Sequence, residues 1–129
     1  AENPEDIWLA KSGFGGTEYL LNGLYSEGLK RGLGLADMAR LLSWNPARRY
    51  GLSTKGTIGI GYDADIALLD PKVSHVVRAA DSESSQGYTP FEGQELTGRV
   101  SHVWLRGQRI LAHGQVVGSP SGLYQKRPT

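Results

Sequence analysis

The sequence holds no cysteine, which removes disulfides and thiolate metal sites and leaves the redox compartment open. It holds little net charge, +1, so neither a nucleic acid nor a membrane surface is an expected partner. No apolar run approaches the roughly 20 residues of a membrane span, and no basic segment followed by an apolar core opens the chain. A cytoplasmic protein is the resulting expectation. Metal-ligand spacing is missing as well: the three histidines, His75, His102 and His113, form no HxH or HExxH pattern. There is no Gly-rich phosphate loop with its Lys and no G-x-S-x-G elbow, and Ser84-Ser85 has no neighbouring His or Lys to activate it. No internal repeat is visible. The first residue is Ala, and residues 1–6 read like the interior of a loop, a hint of a fragment or processed product.

What is present is ordinary globular material of one-domain length, with 18 glycines gathered at turns. Residues 1–16 read as a loop with an apolar patch at Ile7, Trp8 and Leu9, ending in Ser12-Gly13-Phe14-Gly15-Gly16. Residues 17–31 carry Tyr19, Leu20, Leu21, Leu24, Tyr25 and Leu29 at helical spacing, with Thr17 as a candidate cap and Gly32 as a stop. Gly23 and Gly28 weaken that helix unless they admit a close neighbour. Residues 35–43 predict a second helix with Leu35, Met38, Ala39, Leu41 and Leu42 on one face. Asn45-Pro46 predicts the capped start of a third, which Gly51 ends.

From Gly56 the period changes. Thr57, Ile58 and Ile60, then residues 66–69 up to Asp70-Pro71, read as strands, and residues 73–79 alternate. Residues 81–93 form a polar loop. Residues 98–105 and 108–112 predict a hairpin about Arg106-Gly107, with a short strand at Val116-Val117 and a tail from Gly118. The stretch from Asn45 to Asp70 is therefore a junction between helical and strand architecture.

Few residues are candidates for chemistry. The histidines are most simply sheet residues. Asp63 and Asp65 share one face of an extended segment and are open to a cation, or else to backbone N–H groups at a turn. Arg48 and Arg49 are an anion clamp or a solvated surface pair. No self-sufficient catalytic set emerges.

The motifs nevertheless carry a resemblance. Asn45-Pro46-Ala47-Arg48 with Gly51-Leu52, Lys55-Gly56-Thr57-Ile58, Gly61 and Asp63-Ala64-Asp65-Ile66 resemble the C-terminal signature of the amidohydrolase superfamily. The runs Tyr88-Thr89-Pro90-Phe91-Glu92-Gly93, Gly98-Arg99-Val100 and Leu105-Arg106-Gly107 are similar to those of the cyclic amidohydrolases: dihydroorotase, allantoinase and hydantoinase. The resemblance implies an α/β fold, with the C-terminal helices of a metal-dependent TIM-like (β/α)8 barrel in residues 1–55. The C-terminal strands of a small β-sandwich, and a tail, would fill residues 56–129. It implies hydrolysis of a carbon–nitrogen bond in a cyclic amide by a complete enzyme holding two zinc ions. The family's HxH, lysine, further histidines and aspartate have no counterpart here, so catalytic and metal-binding residues are expected in a missing N-terminal part of the same enzyme. The isolated chain is then expected to be inactive. What remains to this segment is substrate contact by backbone groups at Phe14 and Gly15. The competing expectation is a non-catalytic amidohydrolase-like module for assembly or binding. Barrel helices without their strands would expose Leu20, Leu24 and Leu41, which predicts a homo-oligomer.

Overall fold

A computed structural model describes residues 13–126. Residues 1–12 and 127–129, including the predicted patch at Ile7, Trp8 and Leu9, lie outside the described residues. The described chain is α/β. One 3₁₀ turn (Thr17–Tyr19) leads into α1 (Leu20–Lys30), followed by α2 (Leu35–Ala39) and α3 (Asn45–Tyr50). Four strands follow: β1 (Ile66–Val76), β2 (Glu95–Leu105), β3 (Gln108–Ala112) and β4 (Gln115–Val116). They make one antiparallel sheet in the order β1-β2-β3-β4.

Thr17 does not cap α1; no side-chain cap bond is made there, and Thr17 is itself inside the 3₁₀ turn. The predicted stops hold. At the end of α1 the Leu33 N–H reaches the Gly28 carbonyl at 2.9 Å and the Gly32 N–H reaches that of Leu29 at 3.1 Å. At the end of α3 the Leu52 N–H reaches Ala47 at 2.8 Å and the Gly51 N–H reaches Arg48 at 3.2 Å. Both are Schellman closures that satisfy the last free carbonyls.

Asn45-Pro46 does not start a helix. Trp44 and Asn45 are both helical, and the chain runs from α2 to α3 through a π-helical segment (Arg40–Trp44). The Asn45 N–H bonds to the Arg40 carbonyl, five residues back. Pro46 has no N–H, and its ring would press on a carbonyl one tight turn earlier. A widened turn absorbs it without breaking the helix.

The packing face of α1 also differs from its leucine stripe. Asn22, Ser26 and Gly28 are buried, whereas Leu20 is 58% exposed. The small side chains let the helix lie directly on β2. Ser26 Oγ accepts the Thr97 N–H at 3.1 Å, and a Cβ on Gly98 would stand 2.6 Å from the Tyr25 ring. Gly28 admits Met38, whose Cε would lie 3.0 Å from an added Cβ, while Gly23 admits nothing within 4 Å. Leu41 is exposed and Leu24 half-buried.

Asp70-Pro71 does not close a strand. β1 continues to Val76, and its pairing with β2 jumps between Asp70 and Ser74. Pro71 sits in that irregularity on an edge strand, where no ladder donor is lost, and Asp70 Oδ1 accepts the Lys72 N–H at 2.9 Å. Thr57 lies in a bend, Ile60 in a turn and Ile58 in irregular chain, none of them in a strand, and Ile58 is 82% exposed. The hairpin stands as predicted: Arg106 and Gly107 have φ of 48° and 80°, the pair of positive angles that suits a two-residue connection. Tyr19, Val77 and Leu96 form the buried cluster between α1 and the sheet, with Phe91 edge-on to Tyr19 at 5.8 Å.

Candidate functional site

The Gly-rich loop at residues 13–16 precedes the helical layer. Phe14 turns its ring outward and is 61% exposed, whereas Gly15 is half-buried. The long polar loop after β1 lies against it. That loop, residues 78–92, is closed at its base by the Val77 N–H on the Gln94 carbonyl at 2.8 Å and the Gly93 N–H on the Val77 carbonyl at 2.9 Å. Glu92 pins the start, accepting the Ala79 N–H at 2.6 Å and facing Arg78 at 3.5 Å. Close ends and self-packing make this a compact Ω-type loop. The Tyr88-Thr89-Pro90-Phe91-Glu92-Gly93 run is thus the closure of that loop; Thr89 is buried and its Oγ1 accepts the Phe91 N–H at 3.3 Å.

Four contacts join this loop to the Gly-rich loop and the 3₁₀ turn after it. The Tyr88 hydroxyl donates to the Gly13 carbonyl. Glu18 accepts the Ser82 hydroxyl at 2.7 Å and the Glu83 N–H at 3.2 Å. Gly15 is so close to Ser84 that an added Cβ would stand 2.7 Å from its Oγ. The sequence singled out Phe14 and Gly15 and not Glu18, Ser84 or Tyr88; Ser84 and Tyr88 stand more than sixty residues after Glu18 and meet this end of the chain only through tertiary packing.

Asp63 and Asp65 do meet a cation, and it is Lys55. Its ammonium faces Asp63 Oδ2 at 3.0 Å and also bonds Asp65 Oδ2, and its side chain is only 14% exposed. Thr54 donates to Asp63 at 2.9 Å, and the Arg106 N–H donates to Asp65 Oδ1 at 2.7 Å. The clamp therefore ties the turn after α3 to the tip of the β2–β3 hairpin. Hydrogen bonds from Lys55 and Thr54 hold the Asp63 carboxyl below its ordinary range. Burial works against ionising Asp65, but Lys55 and the Arg106 N–H outweigh it, so its carboxyl is also lowered. The hydrogen bond to Asp65 raises Lys55, against burial.

These directions set a pH window. The two lowered carboxyls contribute stability above about pH 4 and lose it as pH falls through their folded values. The raised lysine contributes below about pH 10.4 and loses it as pH rises through its higher folded value. Lys55→Met is therefore expected to lower Tm by several degrees across the neutral plateau, with the gap to the parent chain narrowing below pH ~4. Thermal unfolding at pH 7 and pH 3 checks this; an equal gap at both values contradicts the clamp.

His75 and His102 lie in β1 and β2, and His113 lies in the turn between β3 and β4 with φ of 50°. His75 is half-buried in β1, with an unpartnered buried Nδ1; burial, then Arg99, pushes it toward the neutral form. His102 shares Nδ1 with Ser101 Oγ at 3.1 Å, stacks on Trp104 and meets His113 edge-on at 4.7 Å. Arg48 lies 5.3 Å over the Trp44 ring, a cation–π contact. Among the described residues no three His, Asp or Glu side chains converge as a metal site. Since Lys55 already satisfies Asp63 and Asp65, the described residues do not fit a zinc centre. No described helix is long and apolar enough to cross a membrane.

An open apolar groove of about 950 Å³ runs between the helices and β1, walled by Leu21, Met38, Leu42, Ile58 and Leu69, with Lys55 at its edge.

Comparison with known proteins gives a consistent picture. A sequence model of the amidohydrolase family matches residues 15–110. The chain is 41% identical over 121 residues to an allantoinase of Rubrobacter xylanophilus, covering 93% of this chain and 27% of that one. It is 43% identical over 95 residues to a dihydroorotase of Methanosarcina mazei, covering 72% of this chain and 21% of that one. The solved D-hydantoinase of Bacillus sp. AR9 superposes with a TM-score of 0.80 at 38% identity, over 84% of this chain and 24% of its own. The chain spans about a quarter of the length of the curated relatives it matches.

Proposed function

The chain belongs to the amidohydrolase family, and from that premise we propose that it is the C-terminal portion of a metal-dependent cyclic amidohydrolase. The reaction is hydrolysis of a carbon–nitrogen bond in a cyclic amide of the dihydroorotate, allantoin or hydantoin type. The observation that carries this reading is the family match over residues 15–110, with relatives of all three names. In this reading residues 1–55 end a (β/α)8 barrel, and residues 56–129 belong to a small β-sandwich. The change from helix to strand after α3 supports that division. Backbone groups at Phe14 and Gly15 contact the substrate. The outward-facing Phe14 and the tightly packed Gly15 suit a loop whose main chain, rather than a particular side chain, receives a planar amide. Residues of the remaining polypeptide, which is this segment's partner, would hold two zinc ions, and the chemistry these would supply is polarisation of the amide carbonyl and hydroxide at neutral pH. The groove and the exposed Leu20 and Leu41 support self-association of the isolated segment.

The test is a comparison of lengths. The 129 residues purified alone are expected to turn over none of the three substrates, with or without zinc, and to sediment as a dimer or larger species. The complete polypeptide is expected to hydrolyse at least one of them, and a chelator to abolish the reaction. Turnover by the isolated segment contradicts the proposal. A complete polypeptide inert toward all three favours a non-catalytic module.

A further inference from the structure

Glu18, Ser84 and Tyr88 are not members of the fold's buried cluster, which is built from Tyr19, Val77 and Leu96. All three nonetheless join the Gly-rich loop and the 3₁₀ turn after it to the loop of residues 78–92. Tyr88 reaches the carbonyl of Gly13, one residue before Phe14. Glu18, two residues after Gly16, takes two donors from the Ω-type loop, Ser82 Oγ and the Glu83 N–H. Ser84 occupies the space a side chain on Gly15 would need. The loop is therefore tied at both ends and blocked in the middle by one segment. That segment is itself anchored on the sheet through the Val77–Gln94 and Gly93–Val77 bonds. Ser82 is locked in turn by the Ser84 N–H, which donates to its Oγ at 3.0 Å.

We infer that the Ω-type loop of residues 78–92 is a strap that fixes the main chain at Phe14 and Gly15 for the cyclic amide, with Glu18, Ser84 and Tyr88 as its positioning residues. The inference rests on the substrate role proposed above for Phe14 and Gly15. A backbone contact binds well only when its direction is fixed before substrate arrives, because ordering the loop at binding subtracts from affinity. A Gly-rich segment has the most freedom to lose. The strap removes that freedom in advance, using groups that never touch the substrate. It also assigns a role to the sheet domain, which otherwise only packs beside the chemistry.

The experiment uses the complete enzyme. Tyr88→Phe removes the donor to Gly13 and keeps the ring; Glu18→Ala removes both acceptor bonds, and Glu18→Gln keeps a carbonyl oxygen in place. The expected result is a KM raised roughly 5- to 10-fold in Tyr88→Phe and Glu18→Ala with kcat within about twofold, and near-parental KM in Glu18→Gln. Gly15→Ala is expected to raise KM at least as much, and Ser84→Gly added to it recovers most of the loss, because it removes the two nearest atoms the new methyl meets and leaves only Gln86 Oε1 at 3.3 Å. Amide exchange at residues 13–16 is read in parallel and should quicken in Tyr88→Phe and Glu18→Ala, with β2 unchanged. Unchanged exchange there, or a lowered Tm with KM unmoved, overturns the strap. A parent enzyme without turnover, but with quickened exchange in the variants, instead overturns the cyclic-amide reading and the substrate role with it, leaving the strap's hold on the loop supported.

Discussion

Leu96→Ala is expected to destabilise the chain by about 2–5 kcal/mol, the range for removing a fully packed leucine from an interior. Leu96 is 2% exposed, and with Tyr19 and Val77 it makes up the buried cluster where α1, β1 and β2 meet. It sits opposite His75 in the β1–β2 pairing, so its side chain fills the space that the edge strand and the helix share. Among the described residues the buried cluster is small: Tyr19, Val77 and Leu96, with Phe91 packed against it. The cost should fall near the upper half of the range, since it grows with the cavity that fails to collapse. Phe91 packs on the same cluster, so the mutation should also loosen the base of the loop at residues 78–92. Denaturant unfolding with the parent chain as reference measures it. The midpoint should drop at nearly constant slope. Leu68→Ala, at a side chain 48% exposed on the same sheet, should cost well under half as much. Equal costs at the two positions would mean that the buried cluster is not the centre of stability described here.

The sheet was legible in the residues where chain chemistry acts locally. Arg106-Gly107 between two apolar runs specifies a two-residue turn, and Gly32 and Gly51 specify helix stops, because each depends only on φ preferences within a few residues. The differences arose where more than the residues' own φ preferences decided the matter. Asn45-Pro46 has the form of a helix start, but a π-helical turn from Arg40 carries the chain through it. Leu20 and Leu29 follow helical spacing, yet the sheet accepts the Asn22 and Ser26 face, since Thr97 offers an N–H that only a polar side chain can satisfy. Ile58 and Ile60 look like strand residues, and neither has a ladder partner among the described strands. The candidate site divides the same way. Phe14 and Gly15 stood out as a Gly-rich oddity, whereas Ser82, Ser84 and Tyr88, which meet that end of the chain, are remote in sequence. Asp63 and Asp65 were visible as a pair, but Lys55, eight and ten residues earlier, was not recognised as the cation between them.

Gly56→Ala should be as damaging as any core truncation, at about 3 kcal/mol or more, through the opposite mechanism. Gly56 has φ of 92°, and a Cβ built on it stands 2.5 Å from the Ala47 methyl and 2.8 Å from the Ser43 carbonyl oxygen. Neither neighbour can rotate away. Ala47 is 5% exposed in α3, and the Ser43 oxygen belongs to the helical main chain at the π-helical segment. Two costs add: overpacking at roughly 1–3 kcal/mol and a left-handed backbone at roughly 1–2. Gly61 separates them. It has φ of 88° with nothing within 4 Å, so Gly61→Ala should cost only the backbone term, about 1 kcal/mol. The difference between the two variants measures how tightly the turn after α3 is pressed onto the helix. Ala47→Gly in the Gly56→Ala background should recover part of that difference and not all, since the carbonyl remains. A relaxed turn would also move Lys55, the preceding residue, out of reach of Asp63 and Asp65. The double variant Gly56→Ala, Lys55→Met should therefore be less destabilised than the sum of its two single changes, because the first has already opened the contact that the second removes.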